Sequence, residues 1–291
     1  MNWRIYMSNS KKKIKKMAES NIKILKSGKL KLSKDQKIDI SKFVSNSVDK
    51  AIVSRLDAII SKEDVVIDST NAISSASINL TSQLYTVEML YRVNSPEEYT
   101  IVVTTNKKSA LNIFDYLRQD TIGALLRAST LAGVYKKLKE SWLSLHDKDN
   151  SKFTNVMYIP DIMIFTDFRK GDIRYDPIKV NLLVISTPSL SKMNGDEEKP
   201  ELTEACTRIV NDIVESAIKC GSKNLIIDPF AHKILQKDAD VTSRIWKSVV
   251  TSQRYKDNIH KTAFTIDPDA EDYFVTFDAN MQIIPDTNIE D

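Results

Sequence analysis

The sequence predicts an α/β fold, a mixed sheet sandwiched between helices. Three observations carry that reading. Short, strongly apolar runs of strand character recur: "YTIVVTT" at 99–105, "VNLLVIST" at 180–187 and "LII" at 225–227. Longer stretches with apolar residues at helical spacing lie between them. Such alternation is what helices packed on both faces of a sheet require. No internal repeat or clean linker interrupts the 291 residues, so a single compact domain is expected.

Residues 11–29 read as an amphipathic helix, with Ile14, Met17, Ile22, Ile24 and Leu25 on its apolar side and lysines over the rest. Gly28 ends it, and "KLKLSKDQKIDISKFV" follows as a turn or short hairpin. Val44, Val48, Ile52, Leu56 and Ile60 recur every four residues and predict a second helix. Residues 1–60 are thus read as a basic helical extension packed on a main domain of residues 61–291. In that domain 63–69 reads as a strand, and 70–93 as mixed helix and connection with Pro96 closing it. After the 99–105 strand, the segment beyond Phe114 becomes a helix to about Lys139. "FTNVMYIPDIMIFTD" (153–167) reads as a hairpin-like pair broken by Pro160. A polar loop follows the 180–187 strand, then a helix over 201–219, the strand at Leu225, a helix over 239–255 and a strand at 261–267. The acidic tail reads as adding one edge strand.

The composition, 42% hydrophobic and 28% charged, is that of an ordinary soluble chain. A formal charge of +3 implies no nucleic-acid partner by itself, but the charge is unevenly placed. Residues 1–50 hold 14 Lys/Arg against 4 Asp/Glu. Within "SKKKIKK" (10–16), Lys11, Lys12, Lys13, Lys15 and Lys16 are candidate polyanion contacts or a nuclear-import signal, weighed against a plain solvated face. No aromatic residue interleaves them to stack on bases. Cys206 and Cys220 fall in one predicted helix, roughly 21 Å apart along its axis, too far for a disulfide. A reduced, intracellular chain is therefore expected, cytoplasmic or nuclear, with no membrane association because no apolar run approaches a span. Two cysteines and three scattered histidines (His146, His232, His260) cannot supply a zinc site by spacing. Each histidine reads as a surface or helix-end residue. No G-x-S-x-G, G-x-G-x-x-G or Walker A pattern occurs, and six glycines are few for a chain built on phosphate-cradling loops. No cofactor is implied.

"KNLIIDPFAHKILQKDAD" (223–240) carries the functional question. A strand that feeds a helix N-terminus is where α/β proteins bind phosphates, usually through glycine N–H groups. Here the turn holds Asp228, Pro229, Phe230, His232 and Lys233 instead.

The order of elements resembles the microbial-type poly(ADP-ribose) glycohydrolases, macro-domain proteins with an N-terminal helical extension, over residues 11–267. "KKIKKMAESNIKILKSGKL" is similar to that family's opening R-x-x-A-x-x-T-L helix, and "YIPDIMIFTD" to its tyrosine-x-proline-aspartate hairpin. "VNLLVISTPSL" resembles the strand ending A-A-P-N. "TRIVNDIVESAIKCGSKNLIIDPFAHKILQKDAD" resembles the R-x-x-x-I-L-x-x-A-x-x-x-G helix and the G-A-W-G-C-G-V-F-x-N-D-P loop after it. The resemblance implies a three-layer α/β/α macro-domain-like fold with a mixed central sheet, and ADP-ribose chemistry in the cleft at the strands' carboxyl ends.

The departures lie in that cleft. The family's P-G-G-G and Q-E-E, anchored on Arg127, place the glycines at Leu111, Asn112 and Ile113 and the Q-E-E at Thr121, Ile122 and Gly123. Neither Ile122 nor Gly123 can exchange a proton, so acid/base catalysis worth ~10²–10⁴-fold has no side chain to carry it. The second loop's glycines fall on Asp228, Ala231 and Lys233, and its aromatic residue on Phe230. An aspartate at the first position of a phosphate loop repels a diphosphate.

The sequence therefore predicts a catalytically inactive member that serves as a binding or assembly module. A protein partner or self-assembly is expected, with weak nucleic-acid or polyanion binding and ADP-ribose disfavoured. Asn106, Leu111, Asn112, Ile113, Phe114, Asp228, Phe230, His232 and Lys233 are the expected partner-facing residues. Phe230 and Ile234 are expected to cover the cleft. The alternative is an active ADP-ribosyl glycohydrolase in which Asp120, just before the missing pair, acts as a displaced acid/base.

Overall fold

The structure, a computed structural model, describes residues 3–59, 75–80, 86–91, 93–106, 110–118, 120–146, 153–168, 170–187, 200–228, 239–266 and 271–281. The strand read at 63–69, the polar loop after Thr187, and Phe230, His232, Lys233 and Ile234 lie outside them.

Helix α1 (Trp3–Ser27) begins earlier than the apolar periodicity predicts and ends at Gly28. The φ of Gly28 is 68°, which a side chain resists, and its N–H turns back to the carbonyls of Ile24 and Leu25 at 3.2 and 3.3 Å. The expected hairpin follows as β1 (Lys29–Lys31) and β2 (Lys37–Asp39). Asp39 caps α2 (Ile40–Asp49) by accepting from the Lys42 N–H at 3.1 Å. Leu30 and Ile40 are buried with Met163 and Phe165 of the main sheet, which fixes the extension onto it.

Apolar spacing predicts that the second helix reaches Ile60, but α2 stops at Asp49. The chain enters the main sheet at β3 (Ile52–Arg55), inside the stretch read as the extension. Ile52 and Val53 are consecutive β-branched residues, stiff at χ1 and better suited to a strand. β4 (Ser75–Leu80) lies where mixed helix and connection are predicted. Its small residues mask a period-two pattern, with Ala76, Ile78 and Leu80 alternating with polar positions.

The seven-stranded sheet has the order β3-β6-β7-β5-β8-β9-β4, with β5 (Tyr99–Asn106), β6 (Asn155–Thr166), β7 (Ile173–Thr187), β8 (Asn224–Ile227) and β9 (Lys261–Ile266). β7, β5, β8, β9 and β4 pair in parallel, while β6 is antiparallel to both β7 and β3. The hairpin is β6–β7. Residues 153–167 are not a hairpin of their own, because Pro160 makes a bulge and not a turn. The next residue, Asp161, takes φ 57°. The bulge is held by the Asn181 side chain on the Asp161 N–H, by Ser47 on its carbonyl and by Lys50 on its carboxylate.

Two layers of helix cover the sheet. Successive side chains of a strand point to opposite faces, and the pairs Ile101↔Ile226 and Val102↔Ile227 share this division. Ile101, Val103 and Ile226 are buried with α3 (Thr121–Ala128) and α4 (Leu131–Ser144). Val102, Leu225, Ile227 and Phe264 are buried with α5 (Pro200–Lys219), α6 (Ala239–Val250) and α8 (Glu271–Met281). The predicted single helix to Lys139 is two helices, the first starting at Thr121. The break is stitched by Ser129 to Leu125 O and by Thr130 to β6 through Met163. The helix read over 239–255 is likewise interrupted at Ser252, which caps α7 (Gln253–Asn258). Of the tail in which an edge strand is expected, the described residues 271–281 form α8, with Phe277 buried against Phe264 at 5.3 Å.

Candidate active site

The carboxyl ends of the parallel strands deliver two segments to one place. β5 ends at Asn106, opposite Thr187 of β7, and residues 110–118 then lead to α3. β8 ends at Ile227, and Asp228 follows it with its N–H on Val102 O at 2.9 Å. Asp228 is only 1% exposed, and its carboxylate accepts from the hydroxyl of Thr121, the first residue of α3. The two segments singled out in the sequence thus meet through Asp228 and Thr121.

The N-terminus of a helix offers free N–H groups and a positive dipole end, a natural anion site. Here the protein supplies the anions itself. Asp120 is the N-cap of α3, and its carboxylate accepts from the Gly123 N–H at 2.9 Å. Its other oxygen accepts from Arg118 Nε at 2.7 Å and also pairs with Arg118 Nη2. Asp228 adds a second carboxylate beside the first turn, on the Thr121 hydroxyl. Desolvation works against the Arg118 charge, yet Asp120 holds the guanidinium above its usual value.

Residues 110–118 pack against α3 and α4. A Cβ on Gly123 would sit 2.2 Å from the Arg118 carbonyl oxygen and 2.7 Å from its carbon, so glycine is required by space. Arg127, buried one turn further on, donates to the carbonyls of Tyr116 at 2.7 Å and Arg118 at 2.5 Å. Burial pulls its pKa down from the ordinary arginine value, opposed by Asp120 and Asp115. Ile113 and Ala110 are buried, and Trp142 donates to Ala110 O at 3.0 Å. Phe114 meets Tyr135 edge-on at 5.1 Å. Leu111, Tyr116 and Leu117 face solvent, at 47%, 39% and 51% exposure, while Asn112 is exposed and accepts at its carbonyl from Arg118.

The structure therefore brings together Leu111 to Phe114, Asp120, Ile122, Gly123 and Asp228. Ile122 packs in the α3–α4 core and Gly123 lies under the Arg118 backbone. Asn106 reaches the same sheet edge by its backbone. Lys11, Lys12, Lys13, Lys15 and Lys16 are exposed on α1, a separate element. His146 is a buried helix-end residue tilted against Trp142, their ring centroids 4.5 Å apart, and Cys206 and Cys220 are buried and form no disulfide. Among the described residues no cluster of His, Cys, Asp and Glu could hold a metal, and no helix is long and apolar enough to cross a membrane. Sequence reasoning missed Arg118 and used Arg127 only as an alignment anchor. The signal for Arg118 was the R-x-D spacing before an apolar run, with the aspartate in N-cap position.

No family model and no curated protein matches the sequence. Solved structures do. The poly(ADP-ribose) glycohydrolase of Thermomonospora curvata superposes with a TM-score of 0.72 at 13% identity, covering 92% of this chain and 98% of that one. The fold is that of the bacterial poly(ADP-ribose) glycohydrolases. The same T. curvata enzyme bound to the inhibitor ADP-HPD aligns with a TM-score of 0.67 at 12% identity, over 91% of this chain and 98% of that one. A point mutant of the Deinococcus radiodurans glycohydrolase in complex with ADP-ribose aligns at 0.59 and 12%, over 82% of this chain and 97% of that one. The predicted macro-domain-like glycohydrolase fold is the one observed. Its layers rest on alternating apolar positions, which survive where little identity does.

Proposed function

We propose that this chain is a non-hydrolysing protein of glycohydrolase fold that works as a binding or assembly module. The observation that carries the reading is the first turn of α3, which holds two of the protein's own carboxylates, Asp120 on the Gly123 N–H and Asp228 on the Thr121 hydroxyl. A diphosphate brought there meets the Asp228 carboxylate and an Asp120 already paired with Arg118, and no free glycine loop. The positions aligned with the catalytic pair are closed as well, Ile122 by apolar packing and Gly123 by the Arg118 carbonyl. Asp120, the displaced acid/base of the active-enzyme alternative, has both oxygens engaged in capping and ion pairing. Exposed Leu111, Tyr116 and Leu117 give the same loop an apolar outer face suited to a protein partner or a second copy.

The experiment is a hydrolysis assay with poly(ADP-ribose) and mono-ADP-ribosylated protein, on the native chain and on Asp120→Asn. Asparagine keeps the cap but gives up the Arg118 ion pair, so a thermal melt of the variant accompanies the assay to check that it folds. No release of ADP-ribose above a blank is expected from either. Turnover by the native chain that Asp120→Asn abolishes overturns the proposal in favour of an active glycohydrolase.

A further inference from the structure

We infer that the N-terminal extension is a docking face for the phosphate backbone of double-stranded nucleic acid, independent of the cleft and of whether it hydrolyses anything. Residues 11–42 form one fixed unit. Asn21 donates to the carbonyls of Leu126 and Ser129 at 2.6 and 3.1 Å, tying α1 to the end of α3. Gly171, at the β6–β7 hairpin tip, lies so close that a Cβ there would come within 3.0 Å of Met17. The α1–hairpin–α2 joint is closed by Ile40 N–H on Gly28 O at 2.9 Å.

This frame presents twelve exposed lysines: Lys11, Lys12, Lys13, Lys15, Lys16, Lys23 and Lys26 on α1, Lys29, Lys31, Lys34 and Lys37 on and around the hairpin, and Lys42 on α2. Against them stand three exposed carboxylates, Glu19, Asp35 and Asp39, of which Asp39 is spent on the α2 cap. Elsewhere surface charge is mixed: Arg208 pairs with Glu204, Arg244 with Asp240 and Arg254 with Glu215. The concentration of one sign on one rigid unit is what a polyanion reads.

Chemistry narrows the polyanion. A basic amphipathic helix binds a membrane by burying its apolar face in lipid. Between Met17 and Asn21 of α1 that face is already used, since Ala18 and Asn21 are buried and Met17 lies against Gly171. No Phe, Tyr or Trp occurs between residues 11 and 42, so the lysine-bearing stretch itself offers no platform on which unpaired bases stack. What remains is contact to phosphates without sequence reading, and a duplex carries them most densely, one per ~1.7 Å of its axis. The stretch from Lys11 to Lys26 runs about 24 Å, long enough to follow such a backbone.

The test is fluorescence anisotropy of a labelled duplex of arbitrary sequence, titrated with the full chain across a salt series. Contacts to 4–6 phosphates give a log–log salt slope of roughly −4 to −5. A variant with Lys11, Lys12, Lys15 and Lys16 all changed to Gln is expected to make the slope shallower by about 0.9 for each phosphate that is no longer neutralised. Its thermal melt is expected to be unchanged, because these side chains are exposed. The inference is overturned if that variant holds the duplex as the native chain does. It is equally overturned if phosphatidylserine vesicles, or a single strand of the same length, are bound more tightly than the duplex.

Discussion

Replacing Gly123 by alanine is expected to lower the melting temperature by several degrees, although alanine is the better helix former. Helix propensity favours the substitution by about 0.8–1.0 kcal/mol. Against it stands a Cβ 2.2 Å from the Arg118 carbonyl oxygen, a backbone atom that cannot swing aside. Residues 116–118 would have to lift from α3, and lifting them breaks the bonds from Arg127 to the Tyr116 and Arg118 carbonyls. Overpacking of this kind costs about 1–3 kcal/mol, and each bond to the buried guanidinium about 1.5–3 kcal/mol more. The costs exceed the gain, so a calorimetric melt of Gly123→Ala should fall below that of the native chain. A higher melt would mean that the 110–118 segment is not seated on α3. Gly123→Glu is expected to fail for the same reason, and so to restore no hydrolysis.

Asp228→Ala should cost about 2–4 kcal/mol, from the loss of the charge-assisted bond to Thr121 and of the interaction with the dipole of α3. The measurement that isolates this pair is a double-mutant cycle with Thr121→Val by urea unfolding. Coupled residues give a combined loss smaller than the sum of the single losses. Strict additivity would show that Asp228 is buried there without supporting the helix.

Much of the fold is legible in residues such as Ile101, Val102 and Val103, whose strand character needs only local chemistry, and in Gly28 as a helix stop. What failed did so for identifiable reasons. Ile52 and Leu56 sit at helical spacing by coincidence, and the choice between α2 and β3 is settled by pairing with Met157 and Tyr158, about a hundred residues away. Pro160 is a turn signal in isolation, but inside a strand with partners on both sides it becomes a bulge. Phe277 gives the tail an apolar anchor whose destination, Phe264, no local pattern reveals. At the site, the absence of a carboxylate at Ile122 and Gly123 is plain in the sequence. The link from Thr121 to Asp228 is not, because it joins residues 107 positions apart. Residues chosen as departures from a binding loop turn out to be mutual partners.

The proposed function requires that the carboxylates of Asp120 and Asp228 leave no room for a diphosphate at the first turn of α3. Isothermal calorimetry of ADP-ribose into the purified chain, at low salt and to millimolar ligand, measures this most directly. The expected result is heat indistinguishable from dilution. A saturable one-to-one isotherm in the micromolar range would contradict it and return the cleft to the chemistry of its structural relatives.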